Sequence, residues 1–360
     1  MKSLDLVVSF VHGYENLEIN MAEKLRPALW KLGGSSKKII NVPFLRNPED
    51  FYEQSGLITG SLPLVNASSF KKLPRFGLTG LSSFGNNLFA GSWNGVYQFD
   101  KNSLKLQTII TNPLMCDMHG IHADSKGIYT VLTGKDTVVL TAFDGTIIDH
   151  FQICPDLSIK KDPNLCDIDW RFISKQFRGS TGHWHFNYIQ IIDNELWLTS
   201  RNANCFVVIN EKRNAARLEI MNFSTPVMLH DGLKIGNLHY LTSIDGKIII
   251  AGKYDQIDFQ EFRNNPKSLD LNKFEMGMLT KVFRLNASSL GREPNWCRGI
   301  EVVDDLIFVT IDGRYDSDLS FGLLMIHNEK IIWEKRLRWD EVGDEDELRF
   351  VTGFDVLNLN

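Results

Sequence analysis

Residues 118–131 read Met-His-Gly-Ile-His-Ala-Asp-Ser-Lys-Gly-Ile-Tyr-Thr-Val. A histidine enters a short alternating strand, a polar turn follows, and a second apolar strand returns, which is the pattern of a half-buried hairpin. The phrase recurs with other residues at its entrance. Residues 78–93 read LTGLSSFGNNLFAGSW, 185–201 HFNYIQIIDNELWLTSR, 239–254 HYLTSIDGKIIIAGKY and 298–312 RGIEVVDDLIFVTID. Strand pairs at a regular interval along a long chain are the signature of propeller blades.

Each hairpin is followed by two further strand-like runs, such as Val96-Tyr97-Gln98-Phe99 with 105–110, and 137–143 with 146–153. The reading is an all-β single domain with blades over 76–113, 119–153, 185–220, 239–289 and 298–340, and with insertions at 154–182 and 255–275. The two ends supply a sixth blade: residues 350–357 match an entrance strand, and 4–11 match a second strand such as 306–310. Joined in space they close the ring and remove the exposed sheet edges of an open array. The sequence predicts six blades, or seven if the N-terminal strands form a sheet of their own. Residues 18–32 have apolar side chains at helical spacing before Gly33-Gly34, which predicts one N-terminal helix within 1–45. Residues 46–75 read as a loop.

Composition narrows the function classes. A chain of 360 residues with 43% hydrophobic and 23% charged residues can bury a core, so a disordered chain is excluded. A net charge of −5 offers no basic field for nucleic acid or an anionic membrane. The N-terminal apolar run is short for a secretory leader, and no stretch approaches a membrane span. Five cysteines without a CxxC pair read as reduced thiols of a cytoplasmic protein, with Cys154 and Cys166 the one conceivable pair. Oligomeric state leaves no mark in the sequence.

In a propeller the first strand of each blade lines the channel, so its opening residues meet at one mouth. That would gather Thr79, His119, His185 or Asn187, His239, Arg298 and Thr352. Three histidines, His119, His185 and His239, match what zinc, iron or manganese needs at a catalytic centre; the alternative is channel histidines satisfied by water. His183 and His230 stand in adjoining loops and would replace a neighbour if the register slips. Arg298 can hold a carboxylate or a developing oxyanion, or pair with Glu301 or Asp355. Tyr254 is a candidate proton-transfer group. Trp93, Trp184, Arg201 and His12 are candidate walls of a substrate pocket, with Trp296 beside Arg298.

The phrase at 118–131 resembles the entrance strand of six-bladed propellers of the NHL and SMP-30/gluconolactonase type, and among them is similar to peptidyl-hydroxyglycine amidating lyases. That resemblance implies zinc on three inner-strand histidines, with an arginine and a tyrosine serving the substrate. His119 in its His-Gly pair carries the match; His185 and His239 match by position in the repeat, and Arg298 and Tyr254 by location. The expectation is a metal-dependent lyase or hydrolase acting on a small polar or peptide-derived substrate. The alternatives are a propeller that only binds a protein or carbohydrate, and a metal-free enzyme of the strictosidine-synthase kind.

Overall fold

The computed structural model describes residues 5–12, 28–33, 36–43, 45, 47–63, 76–172, 183–220, 228–236, 238–244, 246–253, 278–284, 297–311, 322–327, 330–336 and 351–359. These form six antiparallel sheets of four or five strands, one joined by a parallel edge strand. Their inner strands are Leu81–Phe84, Met118–Asp124, Phe186–Ile192, Leu229–Ile235, Cys297–Val303 and Val351–Asn358. Each inner strand neighbours the next, and the last neighbours the first, so the sheets close a ring. The protein is a β-propeller.

Patterning explains the radial order. The third strands Thr137–Thr141 and Cys205–Ile209 are buried along their whole length because a neighbouring blade covers each face. In the fourth strand Ile147–Ile153 only Phe151 and Ile153 are buried, and Ile148 is exposed. Two-residue turns close the hairpins. Asp193 and Asn194 have φ of 51° and 64°, the mirror-image turn that Asx residues tolerate and that matches strand twist. The core lies between blades rather than at the centre: Tyr129, Val131 and Phe151 of the second blade pack with Trp184, Phe186 and Leu198 of the third.

The closing blade joins both ends of the chain. Val351–Asn358 pairs with Asp5–His12, which pairs with Ala28–Gly33 and then Ser36–Asn41. Residues 28–33, expected at the end of the helix, are therefore strand. Trp30 stands opposite Val8 and Ile39, and sheet pairing on both sides overrides the helical spacing. The remainder of the predicted helix lies outside the described residues. The predicted loop at 46–75 holds a capped helix, Pro48–Glu53, and a strand, Ile58–Gly60, that runs parallel to Leu106–Thr111 at the edge of the first blade.

The fourth blade begins ten residues before its predicted start. Leu229–Ile235 is its inner strand, and Leu238–Ser243 is the second. Ile244 and Gly246 thus follow the second strand, and Gly236, with φ of 57°, follows the first.

The inner strands come unusually close. A Cβ added to Gly80 would lie 2.9 Å from the carbonyl oxygen of His119, and one on Gly120 would lie 2.9 Å from Cα of Tyr188. Only glycine permits that approach. Channel-side backbone groups are satisfied by side chains of the adjacent blade. Ser82 Oγ accepts from Ala123 N at 2.9 Å, Gln190 exchanges two bonds with Lys234, and Glu301 accepts from Asn358 N at 3.2 Å. No described helix is long and apolar enough to cross a membrane.

Candidate functional site

Five inner strands are bulged or irregular against their neighbours at the same place. The register slips between Met118 and Ile121, Phe186 and Tyr188, Leu229 and Gly232, and Cys297 and Ile300, and the closing blade slips opposite Ser9 and Phe10. A bulge re-aims the side chain it carries. The equivalent positions hold Thr79, His119, Asn187, His230 and Arg298, with exposures of 6, 4, 1, 3 and 3%. The next position is glycine in three blades (Gly80, Gly120, Gly299), Tyr188 in the third, Asp231 in the fourth and Asp355 in the closing blade.

Hydroxyls lock this ring. Asp231 N–H donates to Thr242 Oγ1 at 3.3 Å, and that hydroxyl donates to the carbonyl of Arg298 at 2.5 Å. The same relay runs from Asp355 N–H through Ser9 Oγ to the carbonyl of Thr79, at 3.1 and 2.5 Å. At His119, Thr133 Oγ1 lies 2.6 Å from the carbonyl of Phe186 and 2.7 Å from Nδ1. A carbonyl only accepts, so the single hydroxyl proton goes to Phe186 and Nδ1 of His119 is the donor. The neutral ring then presents Nε2 as its basic nitrogen.

The predicted histidines separate. His185 stands two positions before Asn187, in left-handed backbone (φ 51°) like Asp117 (φ 52°), and its N–H donates to Asp136 Oδ1 at 3.0 Å. Its ring lies 5.9 Å from that of His119. His239, in contrast, is on the second strand of its blade, opposite Lys234 at the far end of the inner strand. It packs 5.2 Å from Trp197 and 4.8 Å from Phe206, between blades. The place expected for it at the mouth belongs to His230. Among the described residues no three His, Cys, Asp or Glu side chains form a metal-ligating group.

Burial beside Lys234 lowers the His239 pKa from 6.5 to about 4. The unfolded chain therefore takes up a proton near pH 6.5 that the native ring refuses until about pH 4. The sign follows: this contribution to stability is complete above pH 6.5 and is lost as pH falls towards 4. Urea unfolding at pH 7 and pH 5 should show the wild type losing about 2 kcal/mol more than His239→Gln on acidification; equal losses would contradict the buried neutral ring.

The other candidates divide likewise. Trp184 is core: it stacks on Phe186 at 6.2 Å and donates Nε1–H to the carbonyl of Cys154. Trp93 is buried at 7% exposure in the turn after the second strand of its blade. Arg201 follows the corresponding strand of the third blade, and its N–H reaches the carbonyl of His185 at 3.2 Å. His12 ends its strand opposite Val351 and Phe76. Thr352, expected at the entrance, lies on the closing strand opposite Val11, where position 354 is the equivalent of His119. Tyr254 and Trp296 lie outside the described residues. Cys116, Cys154, Cys205 and Cys297 are free thiols.

Glu301 and Asp355 were expected only as partners of Arg298; Asp231, which interacts with Asp355, was missed. Desolvation raises the carboxyl pKa values of Asp231, Asp355 and Glu301; Arg298 opposes this at Asp231, while Asp231 and Glu301 reinforce it at Asp355. Burial, then the negative charges of Asp355, Glu301 and Asp231, lifts the Tyr188 hydroxyl well above its ordinary range. Two of the carboxylates have strand-edge work. Asp355 accepts from Leu81 N at 2.7 Å and Val356 N at 2.8 Å, and Glu301 accepts from Val302 N and Asn358 N.

No family model matches the sequence, and no curated protein matches it. Solved structures do. The chain is similar to a protein of unknown function from Bacteroides caccae, at a TM-score of 0.53 and 10% identity over 99% of both chains. A streptogramin B lyase matches at a TM-score of 0.45 and 11% identity over 98% of both chains. The WD40 domain of Neurospora crassa Pan2 matches at 0.38 and 11% over 74% of this chain and 64% of its own. At these identities the likeness is one of fold alone.

Proposed function

We propose that the channel mouth binds a small polar molecule and exchanges a proton with it, making the protein an enzyme of lyase or hydrolase type. One observation carries the reading: Asn187 is 1% exposed, and neither atom of its amide has a hydrogen-bond partner among the described residues. A buried amide left unpaired costs free energy, and it persists where a ligand supplies the missing donor and acceptor. Thr79 Oγ1, at the equivalent place in the first blade, is buried and unpartnered in the same way. His119 stands on the strand beside Asn187 with Nε2 as its basic nitrogen, and Arg298 offers a charge for a developing oxyanion.

A metal-dependent form of the reading is favoured by the His119–His185 pair, 5.9 Å apart, with a ligated histidine's usual support at Nδ1 of His119. The resemblance to amidating lyases keeps His119 as its support. The substrate class, a small polar or peptide-derived molecule, follows from the donor and acceptor left open at Asn187. A cytoplasmic location remains a proposal from cysteine usage.

The test is a thermal-shift screen of small polar molecules against the whole chain, followed by mass spectrometry of each hit after incubation. A stabilising molecule that is chemically changed, and whose affinity falls roughly tenfold in Asn187→Leu, supports the proposal. A hit that binds but stays unaltered returns the protein to a binding propeller, and the absence of any hit overturns the mouth as a site. Elemental analysis of wild type and His119→Ala/His185→Ala protein reads the metal-dependent form directly.

A further inference from the structure

Of the three channel carboxylates, Asp231 is the one that accepts no backbone hydrogen bond from a strand edge among the described residues. Its Oδ2 instead lies 3.0 Å from Nδ1 of the adjacent His230, with both side chains 3–4% exposed, in an ion-pair contact that is not aligned as a hydrogen bond; catalytic contacts are often misaligned until a ligand is bound. Its backbone is fixed to that of Arg298 through Thr242. Three other blades carry glycine at this ring position, so a carboxylate here is not what close packing of the strands demands. The charged and titratable groups that act on or feel Asp231 are His230, the Arg298 guanidinium, Asp355, and Tyr188 on the neighbouring inner strand.

We infer that His230 and Asp231 form a carboxylate–imidazole pair in which His230 is a proton-transfer group of the mouth and Asp231 is its positioning residue. The inference rests on the mouth being a site, and it adds a residue to that site. Once the pair is aligned, a carboxylate beside Nδ1 favours the proton there, leaves Nε2 as the basic nitrogen, and stabilises the imidazolium that forms when Nε2 accepts a proton. In the step itself, Nε2 of His230 takes a proton from a substrate X–H bond. The bonding electrons stay on the substrate as negative charge, which Arg298 on the neighbouring strand offsets. The charge on the substrate then expels the leaving atom, whose bond breaks with its electron pair, and protonated His230 gives that atom the proton, restoring the pair.

The experiment is histidine-selective ¹⁵N NMR of the full chain from pH 5 to 9, with His230 assigned by its absence in His230→Gln. The wild type should show the neutral His230 ring protonated on Nδ1, and Asp231→Asn should lower its titration midpoint by about one pH unit, with Asp231→Glu restoring most of the shift. A neutral ring protonated on Nε2, or a midpoint unmoved in Asp231→Asn, overturns the pair; the tautomer is read on wild-type protein and holds even if the variants fail to fold. Titrating a hit from the screen separates the two readings. A ligand that binds without moving the His230 resonance sinks this inference and leaves the mouth standing. A failed screen sinks the mouth while the Asp231 dependence still reports on the pair.

Discussion

Replacing Arg171 with alanine is expected to lower unfolding stability by about 3–5 kcal/mol, the cost of breaking a buried ion pair. The residue is 1% exposed although its head is charged. Nε and Nη2 donate to the two oxygens of Asp169 at 2.8 and 2.5 Å, and Nη1 reaches the carbonyl of Ser61 at 2.5 Å and Thr111 Oγ1 at 3.3 Å. Phe51 lies 5.5 Å beneath the guanidinium. One side chain thus ties the insertion after the second blade to the parallel edge strand and to the fourth strand of the first blade. Alanine would leave the Asp169 carboxylate with the backbone N–H of residue 171 but no countercharge, and would take the guanidinium donor from the Ser61 carbonyl. Urea unfolding measures the loss, and Arg171→Met/Asp169→Leu should recover much of it because both charges leave together. A loss under about 1 kcal/mol would mean that water replaces the pair.

Gly299→Ala is expected to cost about 3 kcal/mol or more, at the upper end of overpacking. Its Cβ would sit 2.4 Å from Cα of Asp355 and 2.8 Å from both the Asp355 carbonyl carbon and Val356 N. All three are backbone atoms, so no rotamer change relieves the clash; the fifth and closing blades must part. Gly56→Ala, where nothing lies within 4 Å, is the control and should stay within about 0.5 kcal/mol. The consequence extends to the mouth, because Asp355 holds Leu81 N and Arg298 precedes the displaced glycine. Ligand affinity should therefore fall at temperatures where the variant is still folded. Equal melting temperatures for Gly299→Ala and Gly56→Ala would refute the close approach.

The ring was legible because the hairpin phrase carries its own period. Alternation of side chains fixes which strands pair, and the match of 350–357 to an entrance strand and 4–11 to a second strand places the closing blade. The site was legible only to within one strand. Both Leu229-His230 and the phrase beginning at His239 read as entrances, and alternation is the same for a first and a second strand. The discriminating signal was the match of Leu-His at 229–230 to Met-His at 118–119, with Asp231 standing where Gly120 stands. His185 and Asn187 were likewise two positions apart on an alternating strand, and only the bulge decides between them. Asp231 stood in no motif and Asp355 was read only as a partner of Arg298, since what gives them meaning lies on other blades, Arg298 for Asp231 and Leu81 for Asp355. Trp184 shows the converse limit: an aromatic at a strand entrance has a ligand-stacking and a core reading, and packing against Phe186 settles it.

The closing blade also sets a schedule for synthesis. Asp5–His12 is made long before its inner neighbour Val351–Asn358. Until that later strand exists, the early strand has an open flank that any other extended segment can occupy. The interval between the two is therefore the stage at which molecules made side by side on one polysome are most open to mispairing.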